Sequence, residues 1–138
     1  MKIFTVSNEI PSKIPLFLDS CPCGFPSPAA DFVEQELDLT QYCIKHPSAS
    51  YYIRAEGESM ILAGISSGDL LVVDRAETAR HGDVVVAAID GEFTVKRLCT
   101  HPRLALEAMN PDYATMFVNP DSLEIFGVVT YIIHSTRG

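Results

Sequence analysis

Two residues of this chain, a serine and a lysine 37 residues apart, could together perform covalent catalysis. Ser59 lies in a Gly-Glu-Ser-Met segment at 57–60, and Lys96 lies in a Glu-Phe-Thr-Val-Lys-Arg segment at 92–97. A serine hydroxyl is a poor nucleophile until a base removes its proton, and a lysine can be that base only when its amine is uncharged. The pair therefore predicts nucleophilic catalysis, provided that Lys96 lies where the neutral amine is favoured.

The bond between Cys23 and Gly24 joins two small residues upstream of the serine, and such a pair could cut it. Ser59 follows Gly24 by 35 residues, which at ~3.3 Å per extended residue is far more than the width of a small domain. The bond could therefore enter its own cleft or that of a dimer partner. Cys23 could itself be a nucleophile, but a cysteine protease requires a partnered histidine, and no spacing in the chain favours one.

Two apolar, β-branched runs at 83–89 and 92–98 predict the β-hairpin that positions the lysine. They are joined by Asp90-Gly91, and a two-residue Asp-Gly link is a strong hairpin signal because a type I′ turn needs positive φ at both central positions. With residue 89 opposite residue 92, Lys96 pairs with Val85.

Side chains alternate across a strand, so this register also predicts the face on which Lys96 lies. The residues that share this face are Val85, Ala87, Thr94 and Leu98. The face is mostly apolar, and lost hydration can lower a lysine pKa by up to ~3–5 units from a reference near ~10.4. On the residues alone two alternatives stay open: Lys96 can be a surface lysine that extends its amine into water, and Gly-x-Ser can be an ordinary turn.

Further motifs follow one another in a fixed order and spacing along the chain. They are Cys23-Gly24-Phe25-Pro26-Ser27-Pro28-Ala29-Ala30-Asp31, His46-Pro47-Ser48-Ala49, Gly57-Glu58-Ser59-Met60, 64–74, His81-Gly82-Asp83, 91–98, Met109-Asn110 and Phe126-Gly127-Val128-Val129. On these motifs the chain resembles the UmuD-type SOS mutagenesis proteins, within the LexA-like family of self-cleaving peptidases with a Ser-Lys pair. The likeness covers nearly the whole chain and is weaker over the first dozen residues and around 99–120.

The resemblance implies an SOS-response autopeptidase that cleaves its own Cys23–Gly24 bond, with Ser59 as nucleophile and Lys96 as general base. It implies that RecA filaments on single-stranded DNA stimulate the cut. The shortened, dimeric product would then join a UmuC-type Y-family polymerase in error-prone translesion synthesis. The alternative is a non-catalytic regulatory module that binds the polymerase, the sliding clamp and RecA. A LexA-type repressor is not expected, because no N-terminal helix-turn-helix segment is present.

Charge and composition favour protein partners over nucleic acid. The 138 residues carry 18 acidic and 10 basic side chains, a net charge of −8. Non-specific DNA binding needs Lys and Arg to neutralise phosphates, so direct DNA binding is not expected. A small basic spot of Arg97, His101 and Arg103 is interpreted as a solvated strand end.

Neither a membrane anchor nor a cofactor is expected. No segment reaches the ~18 consecutive apolar residues of a membrane span, and the N-terminus lacks a sustained apolar signal-peptide region. Signal peptidases, which also use Ser and Lys, need such an anchor. The cysteines and histidines do not have zinc-site spacing. We therefore expect a cytoplasmic protein without a metal, whose thiols stay reduced. The cysteines are Cys21, Cys23, Cys43 and Cys99, and the histidines are His46, His81, His101 and His134.

The chain divides into an N-terminal arm and a folded domain. Four prolines within 1–26 predict a flexible, extended arm that contains the cleavage site, and residues 27–138 form the peptidase-like domain. Ser27 suits an N-cap and Pro28 a first helical position, which predicts a short helix over 29–37. A further helical turn is predicted over 39–44.

Short strands separated by turn residues fill the rest of the domain. They are predicted at 50–55, 70–74, 83–89, 92–98, 104–109 and 122–134. Such strands indicate a closed or nearly closed antiparallel assembly, and the resemblance implies the compact, mainly β fold of LexA and signal peptidase with a short helix.

One apolar stretch in the arm, Ile14-Pro15-Leu16-Phe17-Leu18, is similar to the clamp-binding peptides of replication proteins. The sliding clamp is thus a possible partner. The alternative is that this stretch packs along the domain and orients the arm.

Overall fold

The computed structural model describes residues 3–5, 13–17 and 33–138. These residues fall into two compact units. The larger unit holds 3–5 together with 46–138, and the smaller holds 13–17 and 33–45. The Ser59 and Lys96 segments both belong to the larger unit, whereas Cys23 and Gly24 lie outside the described residues.

The smaller unit is a strand pair followed by a helix. Strand β2 (Lys13–Phe17) pairs antiparallel with β3 (Val33–Asp38), and helix α1 (Leu39–Cys43) follows directly. The side chain of Asp38 caps the helix by accepting hydrogen bonds from the backbone N–H groups of Thr40 (3.0 Å) and Gln41 (3.3 Å). The helical turn predicted over 39–44 is therefore confirmed.

The helix predicted over 29–37 is wrong from Val33 onward, where the chain forms β3. An N-cap signal such as Ser27-Pro28 expresses a local preference worth about 1 kcal/mol. Pairing with β2 over five positions supplies backbone hydrogen bonds between the strands instead, and tertiary context of this kind routinely overrides helix propensity. Residues 27–32 lie outside the described residues.

The larger unit is built on one eight-stranded antiparallel sheet. Its strands are β1 (Ile3–Thr5), β4 (Ser50–Arg54), β5 (Leu70–Asp74), β6 (Val84–Ile89), β7 (Glu92–Cys99), β8 (Ala105–Glu107), β9 (Met116–Phe117) and β10 (Leu123–Ile133). Their order across the sheet is β1-β4-β5-β10-β6-β7-β8-β9. The mainly β, antiparallel fold and all six predicted strands are confirmed. The strand predicted over 104–109 is shorter than expected.

The hairpin that carries the lysine has the predicted register. Ile89 pairs with Glu92 and Val85 pairs with Lys96, with the three intervening pairs in step. Both turn residues have positive φ, 50° at Asp90 and 85° at Gly91, as a type I′ turn requires. Lys96 is consequently fixed at the fifth position of β7.

Two buried apolar clusters form the core of the larger unit. The first contains residues Ile53, Ala55, Met60, Ile65, Leu71, Val73 and Val86, and the second contains Val85, Ala87, Leu98, Leu106 and Val128. Successive residues of β6 thus alternate between the clusters, because neighbouring side chains point to opposite faces of a strand. The candidate site lies beside the first cluster, through Met60.

Both ends of β5 carry a buried aspartate paired with a histidine. Asp69 Oδ1 lies 2.6 Å from His134 Nδ1, and Asp74 Oδ2 lies 2.6 Å from His46 Nδ1. Burial raises the pKa of Asp69, but the Ser66 backbone N–H and His134 outweigh it and hold this pKa below its usual value. These pairs fix the ends of a strand whose neighbours are β4 and β10.

Candidate active site

Ser59 lies in the turn that follows β4 and precedes a 3₁₀ turn at Ile61–Ala63. Its side chain is half-buried, whereas the next residue, Met60, is only 3% exposed and packs in the first core cluster. Burial of Met60 anchors the turn to the core and leaves the serine at the surface of a cleft.

The structure brings Ser59 and Lys96 together. Lys96 Nζ lies 3.1 Å from Ser59 Oγ, within hydrogen-bond distance, although the residues are 37 apart in the chain. The same nitrogen lies 2.7 Å from Thr94 Oγ1 and 3.1 Å from the carbonyl oxygen of Val95. A neutral amine can satisfy all three contacts, because it can donate its two hydrogens to Thr94 and Val95 and accept the serine hydroxyl with its lone pair.

Burial lowers the pKa of Lys96 below its ordinary value, since the surroundings remove water from the charged form. No carboxylate is hydrogen-bonded to this amine among the described residues, so nothing there opposes the effect by a salt bridge. A lysine with a lowered pKa and a serine hydroxyl in contact is the arrangement that general-base activation of serine requires.

The pair opens into a cleft of about 280 Å³. Its apolar lining includes Ala55, Met60, Ile65 and Val95, and the exposed side chain of Glu56 lies at its rim. Arg54 and Thr94 add further polar groups to the lining beside the reacting pair. A cleft that offers both apolar and hydrogen-bonding groups suits an extended peptide, which carries polar backbone and apolar side chains.

Two residues of the site lie outside the Ser-Lys prediction. Thr94 was expected only to share the face of Lys96, and the structure adds its 2.7 Å contact with the amine. Asn110 belongs to the Met109-Asn110 motif but had no predicted role in the site: its Nδ2 donates to the carbonyl oxygen of Glu58 at 2.9 Å. Alternation along β7 could have identified Thr94 as a partner, whereas no local pattern reveals a contact across 52 residues.

The basic spot is engaged with its neighbours. Arg97 Nη1 lies 3.2 Å from Glu107 Oε1, and the Arg103 guanidinium lies 4.6 Å from the centre of the Phe117 ring. The His101 ring stacks on that of His81 at 3.9 Å. The interpretation as a solvated strand end fits His101 and Arg103, which are exposed, but not fully Arg97, which is half-buried in its ion pair.

One group of potential metal ligands occurs in the described part of the chain, at His46, Asp74 and Glu77. Its ligand atoms lie within 4.8 Å of one another. The two oxygens of Asp74 already accept hydrogen bonds, one shared with His46 and one from the backbone N–H of Ala76 at 2.8 Å. The group therefore has a structural explanation.

Across the described ranges, no helix is long and apolar enough to cross a bilayer.

Comparison with known proteins gives consistent matches. Residues 15–130 match the family described as Peptidase S24-like. Protein ImpA of Escherichia coli is 59% identical over 125 residues, which cover 89% of this chain and 85% of ImpA. Protein SamA of Salmonella typhimurium is 56% identical over 130 residues, which cover 94% and 91% of the two chains. The LexA repressor of Shewanella sediminis is 36% identical over 135 residues, which cover 95% of this chain and 65% of the repressor.

Proposed function

The chain belongs to the S24-like peptidase family, and we propose that it is an autopeptidase of the SOS response. In this proposal it cleaves its own Cys23–Gly24 bond, with Ser59 as the nucleophile and Lys96 as the general base. The family membership supports a peptidase, and the residues around the cut and the site support a serine peptidase that acts on its own chain.

The observation that carries the proposal is the 3.1 Å contact between Ser59 Oγ and Lys96 Nζ, at a lysine whose pKa is lowered by burial. A charged lysine in this position would donate to the hydroxyl and leave it unreactive. A neutral lysine accepts the hydroxyl proton, and general-base assistance of this kind is typically worth 10²–10⁴-fold in rate, about 3–5 kcal/mol.

Attack forms the first covalent intermediate. Ser59 Oγ bonds to the carbonyl carbon of Cys23 while its proton moves to Lys96 Nζ, and the carbonyl oxygen becomes an oxyanion. Backbone N–H groups beside Ser59 stabilise that negative charge. The resulting lysinium donates its proton to the nitrogen of Gly24 and the Cys23–Gly24 bond breaks, which frees the Gly24 amine as a new N-terminus and leaves residues 1–23 attached to Ser59 as an ester.

Hydrolysis then regenerates the site. The neutral amine of Lys96 deprotonates a water molecule, and the hydroxide attacks the ester that links Cys23 to Ser59. Breakdown returns the proton to Ser59 and leaves a carboxylate at Cys23. Holding the bond within the same molecule or dimer is worth ~7–11 kcal/mol of barrier, so the site can cut its own arm while it ignores other proteins.

The regulation and partners follow from the resemblance of the motifs to the UmuD type. Unassisted cleavage is slow because the arm rarely docks, and a RecA filament on single-stranded DNA speeds it by favouring the docked state. The shortened product is a cytoplasmic homodimer that joins a UmuC-type Y-family polymerase in translesion synthesis. Ile14, which is 67% exposed in β2, is available to a further partner such as the sliding clamp.

The test is the intact mass of the purified protein after incubation with RecA, an ATP analogue and single-stranded DNA. We expect a species that begins at Gly24 in the wild type and in the controls Ser48→Ala and Lys45→Ala, whose side chains are exposed. Ser59→Ala and Lys96→Ala should give no such species. Cleavage that persists in Ser59→Ala contradicts the assignment of the nucleophile. An uncut wild type under activating and alkaline conditions supports the regulatory binding module instead.

A further inference from the structure

The carbonyl group directly before the nucleophile is held from two sides. The oxygen of Glu58 accepts a hydrogen bond from the backbone N–H of Ile61 at 3.2 Å, within the same turn. It accepts a second from Asn110 Nδ2 at 2.9 Å. Only the second bond comes from a distant part of the chain, so it fixes this turn against the rest of the domain.

The side chain of Asn110 is itself held in place. Its Oδ1 accepts from the backbone N–H of Asp112 at 3.0 Å, which leaves Nδ2 as the end that faces Glu58. A parallel connection joins the same two turns, because the backbone N–H of Leu62 donates to the carbonyl oxygen of Met109 at 2.8 Å. The amide is thus a fixed donor, with its acceptor end occupied by its own turn.

Holding the Glu58 carbonyl also holds the Ser59 N–H. The two groups belong to one planar peptide unit and point in opposite directions, so the orientation of one determines that of the other. The Ser59 N–H donates to no backbone carbonyl among the described residues. Within the described part of the chain it has no backbone acceptor, and it can donate to the oxyanion that forms on the Cys23 carbonyl oxygen when Ser59 Oγ attacks.

We propose that Asn110 is a positioning residue of this site, which orients the Glu58–Ser59 peptide through its Nδ2 hydrogen bond and so aims both the nucleophile and its N–H. The inference rests on the proposed peptidase activity. It assigns to Asn110 an effect on the rate of the covalent step, separate from the proton affinity of Lys96.

The chain offers a matched pair of substitutions. Asn110→Asp keeps the side-chain oxygen that caps its own turn but loses the donor to Glu58. The sequence Asn-Pro-Asp recurs at 119–121, where Asn119 Oδ1 accepts from the backbone N–H of Asp121 at 3.0 Å. Asn119→Asp therefore makes the same chemical change in the same local turn, away from Ser59. The difference between the variants isolates the bond to Glu58.

The first measurement is the rate of unassisted cleavage of the full chain against pH. We expect Asn110→Asp to be slower than Asn119→Asp by about 10- to 100-fold, the size of effect that misplacing a reacting group or a donor produces. The two variants are compared on the plateau at high pH, where Lys96 is neutral in both, because the new carboxylate itself favours the charged amine and moves the pH midpoint. A plateau rate within about twofold of that of Asn119→Asp overturns the proposal.

A second measurement separates positioning from misfolding and from failure of the proposed function. The reaction of Ser59 with a fluorophosphonate probe should slow in Asn110→Asp, while the melting temperatures of the two variants stay within about 5 °C of each other. If Asn110→Asp labels more slowly only because its melting temperature has fallen well below that of Asn119→Asp, the proposal is overturned. If the wild type labels at Ser59 but never cuts itself, the self-cleavage proposal fails, and the labelling comparison still decides the role of Asn110.

Discussion

At the residue scale, the site depends on one lysine amine with three neighbours. Thr94 Oγ1 and the Val95 carbonyl hold Lys96 Nζ at 2.7 and 3.1 Å, and Ser59 Oγ completes the set at 3.1 Å. The alternation of side chains in β7 predicts that Lys96 and Thr94 share a face. The contact with Ser59 depends on how a separate turn packs, and register alone does not give it.

The lowered pKa of Lys96 also affects stability. Below its folded-state pKa, the folded protein must hold a charge in surroundings that disfavour it. Between that pKa and the ordinary value near ~10.4, the unfolded chain binds more protons than the folded one, so the free energy of unfolding rises with pH.

We therefore expect Lys96→Met to be more stable than the wild type at neutral pH, with an advantage that shrinks as the pH approaches ~10.4. Urea unfolding at pH 7, 8, 9 and 10 gives the free energy of unfolding of both proteins. Their difference at each pH is the advantage of Lys96→Met, because the effects of all other titrating groups are common to both. Lys45→Met, at an exposed position, is the control. A constant difference between Lys96→Met and the wild type across this range contradicts the lowered pKa.

At the scale of elements, local signals predict the hairpin and fail at the start of the domain. The Asp90-Gly91 turn joins strands that are adjacent in sequence, so its preference and the register of β6 and β7 agree. The segment at 33–38 pairs instead with β2, at residues 13–17, and that non-local pairing overrode an N-cap signal. The sheet order is also non-local, since β10 lies between β5 and β6.

The position of β10 between β5 and β6 depends on a glycine. A β-carbon at residue 127 would lie 2.6 Å from Val73 Cγ1 and 3.2 Å from the Asp74 carbonyl oxygen. Val73 is fully buried and cannot move aside easily. We expect Gly127→Ala to lower the free energy of unfolding by about 1–3 kcal/mol, as overpacking of cores does.

A double-mutant cycle checks this explanation of Gly127. Val73→Ala removes the clashing methyl groups, so combining it with Gly127→Ala should cost less than the sum of the two single changes. Urea unfolding of the four proteins gives the coupling. Additive losses would mean that the clash with Val73 is not the reason for the glycine.

For the molecule as a whole, the net charge determines whether the protein binds DNA non-specifically. The net charge of −8 leaves few cations to neutralise phosphates, and two of them, Arg97 and Arg103, are engaged with Glu107 and Phe117. The amino-acid composition predicts weak DNA binding directly, because the net charge depends on how many charged residues there are and not on where they lie in the fold. An effect of single-stranded DNA on cleavage would then pass through a DNA-bound protein.

We accordingly expect no saturable binding of labelled single- or double-stranded DNA at about 10⁻⁵ M protein in low salt. Fluorescence anisotropy measures this, with RecA on the same oligonucleotide as the positive control. Binding that weakens steeply with added salt would show phosphate contacts and contradict the expectation.

Activation of Ser59 by a neutral Lys96 makes the rate of unassisted self-cleavage depend on pH, and this rate is to be measured between pH 6 and pH 10. The rate should rise with pH as the amine loses its proton, with a midpoint below the ordinary lysine value near ~10.4, and then level off. The control Lys45→Ala should follow the same curve, and Lys96→Ala should not cleave. A rate that stays flat across this range in the wild type would contradict the role of Lys96 as the base.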